Sequence, residues 1–391
     1  MSIDPSIVYV VPDKMGGAMS IIANLLRYRG PDAFTYRAVL THNRSDGDTR
    51  FAEPLVVDAR TSLDYALPLE NIHSVVRRLQ RAIGTGSGVL VCSDFLEMTM
   101  LSMVDPGRTV VQILHGDYDY YYDLAATHEP LVHAFVAYSR AVYDNLLKRL
   151  PHRADTIFHL PYGIPLPATI RHRTAGPLRL LFAGRLDEAK GVMDFPEIDR
   201  LLCDAGVPIS WTVIGSGPAE AALRAAWAPS RPVRWVGAAT SADVIAACAE
   251  HDVFVLPTHA EGLSVATVEA MSAGLVPVVS DLPCMDELVD QGRTGVRAPA
   301  RTPQAFADAI ASLARDRDRL EAMSAAARQL AVDRFDARER AAGYQALYAR
   351  WRELYRPRPA SVSASFGSRL DHPWIPNALV RLVRSAIRTA R

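Results

Sequence analysis

The chain has 391 residues, of which 49% are hydrophobic and 22% charged, and its formal net charge is zero. That length favours two domains over one, and the composition is that of a soluble globular protein. A balanced charge removes any global case for nucleic-acid binding. The opening residues, Met1-Ser2-Ile3-Asp4-Pro5, carry neither a basic stretch nor an apolar signal core, and no apolar run reaches membrane-spanning length. Cys92, Cys203, Cys248 and Cys284 are scattered without a CxxC pair, so no disulfide framework is expected and a reducing cytoplasm fits.

The first strand is read at Ile7–Val11. It leads through Pro12, Gly16 and Gly17 into a helical pattern at Ile21–Leu26. Paired glycines there let backbone approach a ligand closely, and a simple tight turn would use them equally well. The spacing is not GxGxxG, and no acidic residue follows at dinucleotide spacing. Further strands are expected at 37–40, 55–57, 88–92, 109–114, 134–137 and 156–160, with helices at 69–83, 96–104 and 140–150. This alternation predicts a doubly wound α/β sheet. His115 falls at the carboxyl end of the fifth of these strands, before Gly116, where an imidazole can meet a polar ligand. Tyr118, Tyr120, Tyr121 and Tyr122 follow, and they either stack on sugar faces or fill a loop–helix junction.

Residues 161–177, rich in proline, read as a linker, after which the alternation restarts. Strands are expected at 178–183, 211–214, 233–236, 253–256, 276–279 and 295–297. Helices are expected at 194–203, 218–228, 241–249, 265–273, 303–314, 317–334 and 337–355. Three loops at strand carboxyl ends carry phosphate-compatible chemistry. Arg185 and Lys190 lie between Gly184 and Gly191 and offer two cations. Gly215-Ser216-Gly217-Pro218 brings backbone close to the start of a helix. Glu261-Gly262-Leu263-Ser264 precedes a helix that Ser264 caps and Gly274 ends. The N-terminus of that helix suits a diphosphate. Glu269, further along it, is placed to accept hydrogen bonds from vicinal hydroxyls.

The series Gly184-Arg185-Leu186…Lys190-Gly191, Gly215-Ser216-Gly217-Pro218 and Glu261…Glu269-Ala270-Met271…Gly274…Pro277-Val278-Val279 resembles family 4 of the glycosyltransferases, with its EX7E-type motif. The resemblance is firm over about residues 178–355 and looser before them. It implies the GT-B fold, in which two Rossmann-like domains face each other across a cleft. An acceptor-binding domain would span 1–165, a nucleotide-sugar-binding domain 178–345, and a helical tail 346–391. The implied reaction is retaining transfer of a hexose-type sugar from a nucleotide-diphosphate sugar to a saccharide or lipid-linked saccharide, in polysaccharide or glycolipid synthesis.

By position, Arg185 and Lys190 resemble the diphosphate clamp, Glu269 the ribose anchor, and Glu261 the glutamate near the donor sugar. Gly262, Leu263 and Ser264 would lend backbone N–H groups. Gly16, Gly17, Gly215 and Gly217 would line the donor, and His115 would contact the transferred sugar. With cations on the diphosphate, and without a DxD or histidine-rich ligand cluster in the sequence, no metal or other cofactor is expected. Three positions depart from the family pattern: Ala18 and Met19 after the glycines, Tyr162-Gly163-Ile164 at the hinge, and Asp117 with the tyrosines. They leave the acceptor side less defined than the donor side. A sugar-nucleotide epimerase or phosphorylase of the same fold, and a non-catalytic nucleotide or glycan binder, are the competing functions.

From residue 356 onward there are seven arginines and one aspartate, a formal +6. In the last helical pattern, Leu379, Leu382, Val383, Ala386 and Ile387 are expected on one face and Arg381, Arg384, Arg388 and Arg391 on the other. Such a helix beside Trp374 either meets an anionic membrane surface through 378–391, on the inner face of the plasma membrane, or packs back on the N-terminal domain.

Overall fold

The computed structural model describes residues 5–389 except Met15, 48–49, Ala52, 171–175, 228–231, Leu263 and 363–367. Its strands and helices alternate from the start: β1 (Ser6–Pro12), α1 (Gly17–Tyr28), β2 (Thr35–Asn43), β3 (Ala59–Tyr65), α2 (Ile72–Ile83), β4 (Gly88–Cys92) and α3 (Phe95–Met103). Next come β5 (Thr109–Leu114), α4 (Asp119–Thr127), β6 (Ala134–Ala137), α5 (Arg140–Arg149) and β7 (Ile157–His159). The second series is β8 (Leu178–Ala183), α6 (Phe195–Asp204), β9 (Ile209–Ile214), α7 (Glu220–Ala226), β10 (Val233–Val236), α8 (Ser241–Cys248) and β11 (Val253–Leu256). It continues with α9 (Val265–Ser272), β12 (Val276–Ser280), β13 (Val296–Ala298), α10 (Pro303–Arg315) and α11 (Arg317–Phe335). Helices α12 (Ala337–Ala349), α13 (Trp351–Leu354) and α14 (Asn377–Thr389) close the chain.

Two compact units result. One comprises 1–138, 142–160 and 341–391; the other comprises 139–141 and 161–340. In the first, the described strands form one parallel sheet in the order β3-β2-β1-β4-β5-β6-β7. The runs Ile7–Val11 and Val89–Cys92 are continuous apolar stretches because helices cover both faces of such a sheet. The third strand lies at 59–65, not at the apolar 55–57 expected from sequence. An edge strand has one neighbour and one half-exposed face, so the mixed run Ala59-Arg-Thr-Ser-Leu-Asp-Tyr65 suffices. Helix α4, unanticipated, is made of the tyrosine-rich stretch and buries Tyr122, Leu124 and Ala125.

The end of the chain belongs to this first unit. Gln345 exchanges side-chain hydrogen bonds with the Gly30 backbone (2.8 and 2.9 Å), and the Tyr9 and Tyr348 hydroxyls meet at 2.9 Å. Arg358 donates to the Leu101 and Val104 carbonyls at the end of α3. Asn71 caps α2 and donates to the carbonyls of His372 and Ile375 (2.9 and 2.8 Å). The faces of α14 differ from the expected division. Val380 is fully buried, and Arg384 turns inward to donate to the Pro68 and Glu70 carbonyls, both at 2.7 Å, and to Asp371. Leu379, Leu382 and Ile387 are 52%, 68% and 51% exposed. Backbone carbonyls in the 68–70 turn attract the guanidinium more than they attract an apolar face, and this rotates the helix.

In the second unit the described strands run parallel in the order β10-β9-β8-β11-β12-β13. Phe195, Trp211 and Trp227 pack ring on ring in its core, and Asp199 accepts from both indole N–H groups (3.0 and 3.3 Å). The strand order reverses between β8 and β11 in this unit and between β1 and β4 in the first. Ligands of open α/β sheets bind outside the strand carboxyl ends at such reversal points. No described helix is long and apolar enough to cross a membrane.

Candidate active site

At the reversal point of the second unit, the loops after β8 and β11 are tied together. After β8, Asp187 Oδ1 accepts from the Lys190 N–H at 2.9 Å, which curls residues 188–190 into a single 3₁₀ turn. Gly191 then adopts a left-handed conformation (φ 66°), and a Cβ there would stand 1.8 Å from the Pro257 carbonyl oxygen. The loop after β11 replies with Thr258, whose Oγ1 lies 2.9 Å from the Ala189 carbonyl and 2.8 Å from that of Ala260. The His259 N–H donates to the same Ala189 carbonyl at 2.8 Å. Lys190 is thereby presented to Glu261, and the two form an ion pair with side chains 24% and 10% exposed. Arg185 is 70% exposed and pairs with Asp187.

The loop after β9 joins the same assembly. Gly215 (φ 138°) packs so closely that a Cβ would come within 1.8 Å of the Gly184 carbonyl oxygen, and one on Gly217 within 2.3 Å of that of Leu186. Backbone bonds from Leu186 to Ser216 (3.0 Å) and from Ala219 to Leu186 (2.9 Å) lace the two loops. Ser264 caps α9 by accepting from the Thr267 N–H at 3.2 Å. Glu269, 4% exposed, sits in the second turn of α9 and accepts from the Ser241 hydroxyl at the start of α8. The structure thus brings Arg185, Lys190, Gly215, Gly217, Glu261, Gly262, Ser264 and Glu269 to one sheet edge. Leu263 lies outside the described residues.

His115, Gly16 and Gly17 belong to the first unit. Gly16 precedes α1, and a Cβ on it would meet nothing within 4 Å, so its backbone faces open space. His115 Nε2 lies 2.9 Å from Ser93 Oγ, and the ring edge packs on Tyr138 at 5.0 Å between centroids. Its Nδ1 is enclosed without a protein partner among the described residues. Burial pushes its pKa down to about 4, so the imidazole is neutral at physiological pH.

Beside it, Asp94 and Glu97 form a capping box at the start of α3. Glu97 Oε1 accepts from the Ser93 and Asp94 N–H groups (2.9 and 2.6 Å), and burial, helped by the Asp94 charge, raises its pKa to about 8. These residues help line a cavity of 250 Å³ whose wall also carries Asp13, Lys14, His42, Asn43, Asp46, Tyr65 and Phe95.

Sequence reasoning missed Asp187, Thr258, Ser241 and the Ser93–Glu97 turn. Asp94-Phe-Leu-Glu97 carries a legible signal, an acidic cap residue followed by glutamate three positions on. Ser241 and Thr258 carry none, since their partners lie 28 and 69 residues away.

Residues 177–316 match the family model described as glycosyl transferases group 1. The matched residues lie within the second unit. An amylovoran biosynthesis glycosyltransferase, AmsK of Erwinia amylovora, is 35% identical to the chain over 140 residues, 34% of each protein. Glycogen synthase of Mycobacterium tuberculosis (strain H37Rv) is 30% identical over 181 residues, 44% of this chain and 42% of that enzyme. The chain thus spans 34% and 42% of the length of these relatives. Among solved structures, Anabaena Alr3699/HepE in complex with UDP and glucose superposes with a TM-score of 0.67. That match covers 88% of this chain and 99% of that one at 16% identity. The fold is GT-B, and the residues that match the group 1 model lie in its second Rossmann-like half.

Proposed function

We propose that the chain is a retaining family 4 glycosyltransferase. It moves a hexose-type sugar from a nucleotide-diphosphate sugar to a saccharide or lipid-linked saccharide, in polysaccharide or glycolipid synthesis. The observation that carries this is the Lys190–Glu261 pair, held by two interlocked loops at the β8/β11 reversal point. The relatives named for glycosyl transfer and the structural neighbour's complex with UDP and glucose support the same function.

In this proposal Arg185 and Lys190 leave their carboxylate partners and neutralise the charge that grows on the departing diphosphate. Glu261, released from Lys190, accepts hydrogen bonds from donor-sugar hydroxyls. Glu269, steadied by Ser241, holds the ribose. Gly215, Gly217, Gly262 and Ser264, with Leu263, bring backbone close to the donor. Gly16 and Gly17 serve the donor from the first unit. A neutral His115, with Nε2 turned to Ser93, meets the transferred sugar. Two protein cations do the electrostatic work a metal would do, so no metal or other cofactor is proposed.

The location we propose is cytoplasmic, peripheral on an anionic inner membrane face. The exposed Leu379, Leu382 and Ile387 of α14, together with Trp374 (84% exposed), Arg381 and Arg388, support it.

The test of the activity is release of nucleoside diphosphate from a panel of nucleotide sugars in the presence of acceptors, with the product's anomeric configuration read by NMR. Retention with acceptor-dependent release is expected. Acceptor-independent interconversion of the sugar would identify an epimerase, and binding without turnover a non-catalytic binder.

A further inference from the structure

The first unit holds a second cavity, of 600 Å³, between α14 and the start of α2. Its apolar walls are Leu67, Pro68, Leu69, Ile72, Phe95 and Ile387, and Ser368, Arg388 and the Arg384–Asp371 pair complete the lining. In size it suits a small-molecule ligand, and its lining is mainly apolar where the cavity beside Glu97 is rich in carboxylates.

The two cavities adjoin. Phe95 lines both. Tyr65 lines one and Leu67 the other, two residues along the same segment. Asn43, in the wall of the polar cavity, donates to the Leu67 carbonyl at 3.2 Å. Phe95 is 48% exposed despite its size, as expected of a ring placed where two ligand environments meet.

The geometry points to a bipartite acceptor site for an amphiphile: a saccharide joined through phosphate to a long apolar chain. The saccharide lies in the polar cavity among Asp46, Asp94, Asn43 and Tyr65, whose carboxylates and amide accept and donate to sugar hydroxyls. The apolar chain lies in the groove on Leu67, Leu69, Ile72 and Ile387. Arg388, exposed at the rim, meets the phosphate. Arg384 is held by the Pro68 and Glu70 carbonyls and by Asp371, which offsets its charge, so it shapes the groove. The inference rests on the proposed transferase activity and narrows its acceptor to the lipid-linked class. It also gives the docked tail a function: without α14 the groove would lack one wall.

Binding to the purified full chain separates the parts. The probes are dodecyl phosphate and dodecyl β-maltoside below their micelle concentrations, with inorganic phosphate and maltose as chainless controls, followed by calorimetry. Both chain-bearing probes should bind at least tenfold more tightly than their controls. Leu69→Trp, which fills the groove, should weaken both at least tenfold. Arg388→Glu should weaken only the phosphate, and Asp46→Asn only the maltoside. Circular dichroism and UDP binding, measured on every variant, report folding and the donor site.

Equal affinity of chain-bearing probes and controls would overturn the proposal. So would loss of binding on Trp374→Ala with Leu382→Ala, but not on Leu69→Trp, since the apolar contact would then be the outer face of α14. Absence of UDP binding in the unaltered chain would instead count against the donor site, leaving the groove result readable on its own.

Discussion

Lys190→Ala is the most informative single change. It removes one of the two proposed diphosphate cations and strands Glu261, whose side chain is 10% exposed and keeps the Gly262 N–H at 3.2 Å. A buried acceptor that loses its partner costs about 1–3 kcal/mol. The 24% exposure of Lys190 keeps the penalty below the ~3–5 kcal/mol of a fully buried ion pair broken from one side. In a domain of this size that is a drop of roughly 2–10 °C in Tm. Loss of one preorganised charge at the leaving group should lower kcat about 10²–10³-fold. Adding Glu261→Gln removes the stranded charge, so Tm should recover while turnover stays low. Melting is followed by circular dichroism and turnover by nucleoside diphosphate release. Turnover within threefold of the parent in Lys190→Ala would refute the clamp. Recovery of turnover together with Tm in the double variant would show that Lys190 acts only by neutralising the Glu261 charge.

Glu97→Gln keeps an oxygen for the Ser93 and Asp94 N–H groups but removes a carboxyl whose folded pKa is raised to about 8. A raised pKa gives stability that is present below the unfolded value near 4.5 and lost as pH climbs toward 8. The variant should therefore outlast the parent at pH 8, by at most roughly 4 kcal/mol, and match it near pH 4, in urea titrations at both pH values. His115 has the opposite sign: with its folded pKa near 4, its contribution is lost as pH falls from about 6.5 toward 4, and His115→Gln should flatten that limb. Gly215→Ala, placing a methyl 1.8 Å from the Gly184 carbonyl oxygen, should separate the β8 and β9 loops. Loss of UDP binding by calorimetry and a lower Tm are the expected results. Chelation with EDTA should leave transferase turnover within twofold, and a loss restored by a divalent cation would refute the metal-free proposal. Leu382→Glu should reduce co-sedimentation with anionic vesicles severalfold while leaving UDP binding unchanged.

Much of the architecture follows from local sequence. Uninterrupted apolar runs such as Val276-Pro-Val-Val279 make central parallel strands, because both faces must be buried. Gly191, Gly215 and Gly274 mark where the chain turns with a positive φ, and Ser264 announces the start of α9. The candidate donor loops were legible because their chemistry lies within a few residues of a strand end. What the sequence left undecided are pairings between distant segments. Whether Lys190 meets Glu261, whether Ser241 holds Glu269, and whether His115 is kept neutral depend on which strand ends lie side by side. Sheet neighbours, not adjacency along the chain, set this: β8 beside β11 for Lys190 and Glu261, and β4 beside β5 for His115. Helix α14 shows the same limit: its periodicity identified an amphipathic helix, yet the Pro68 and Glu70 carbonyls decided that Arg384 turns inward and Leu382 outward. Periodicity records which residues share a face. Which face is buried is decided by the hydrogen-bonding needs of the surface that receives it.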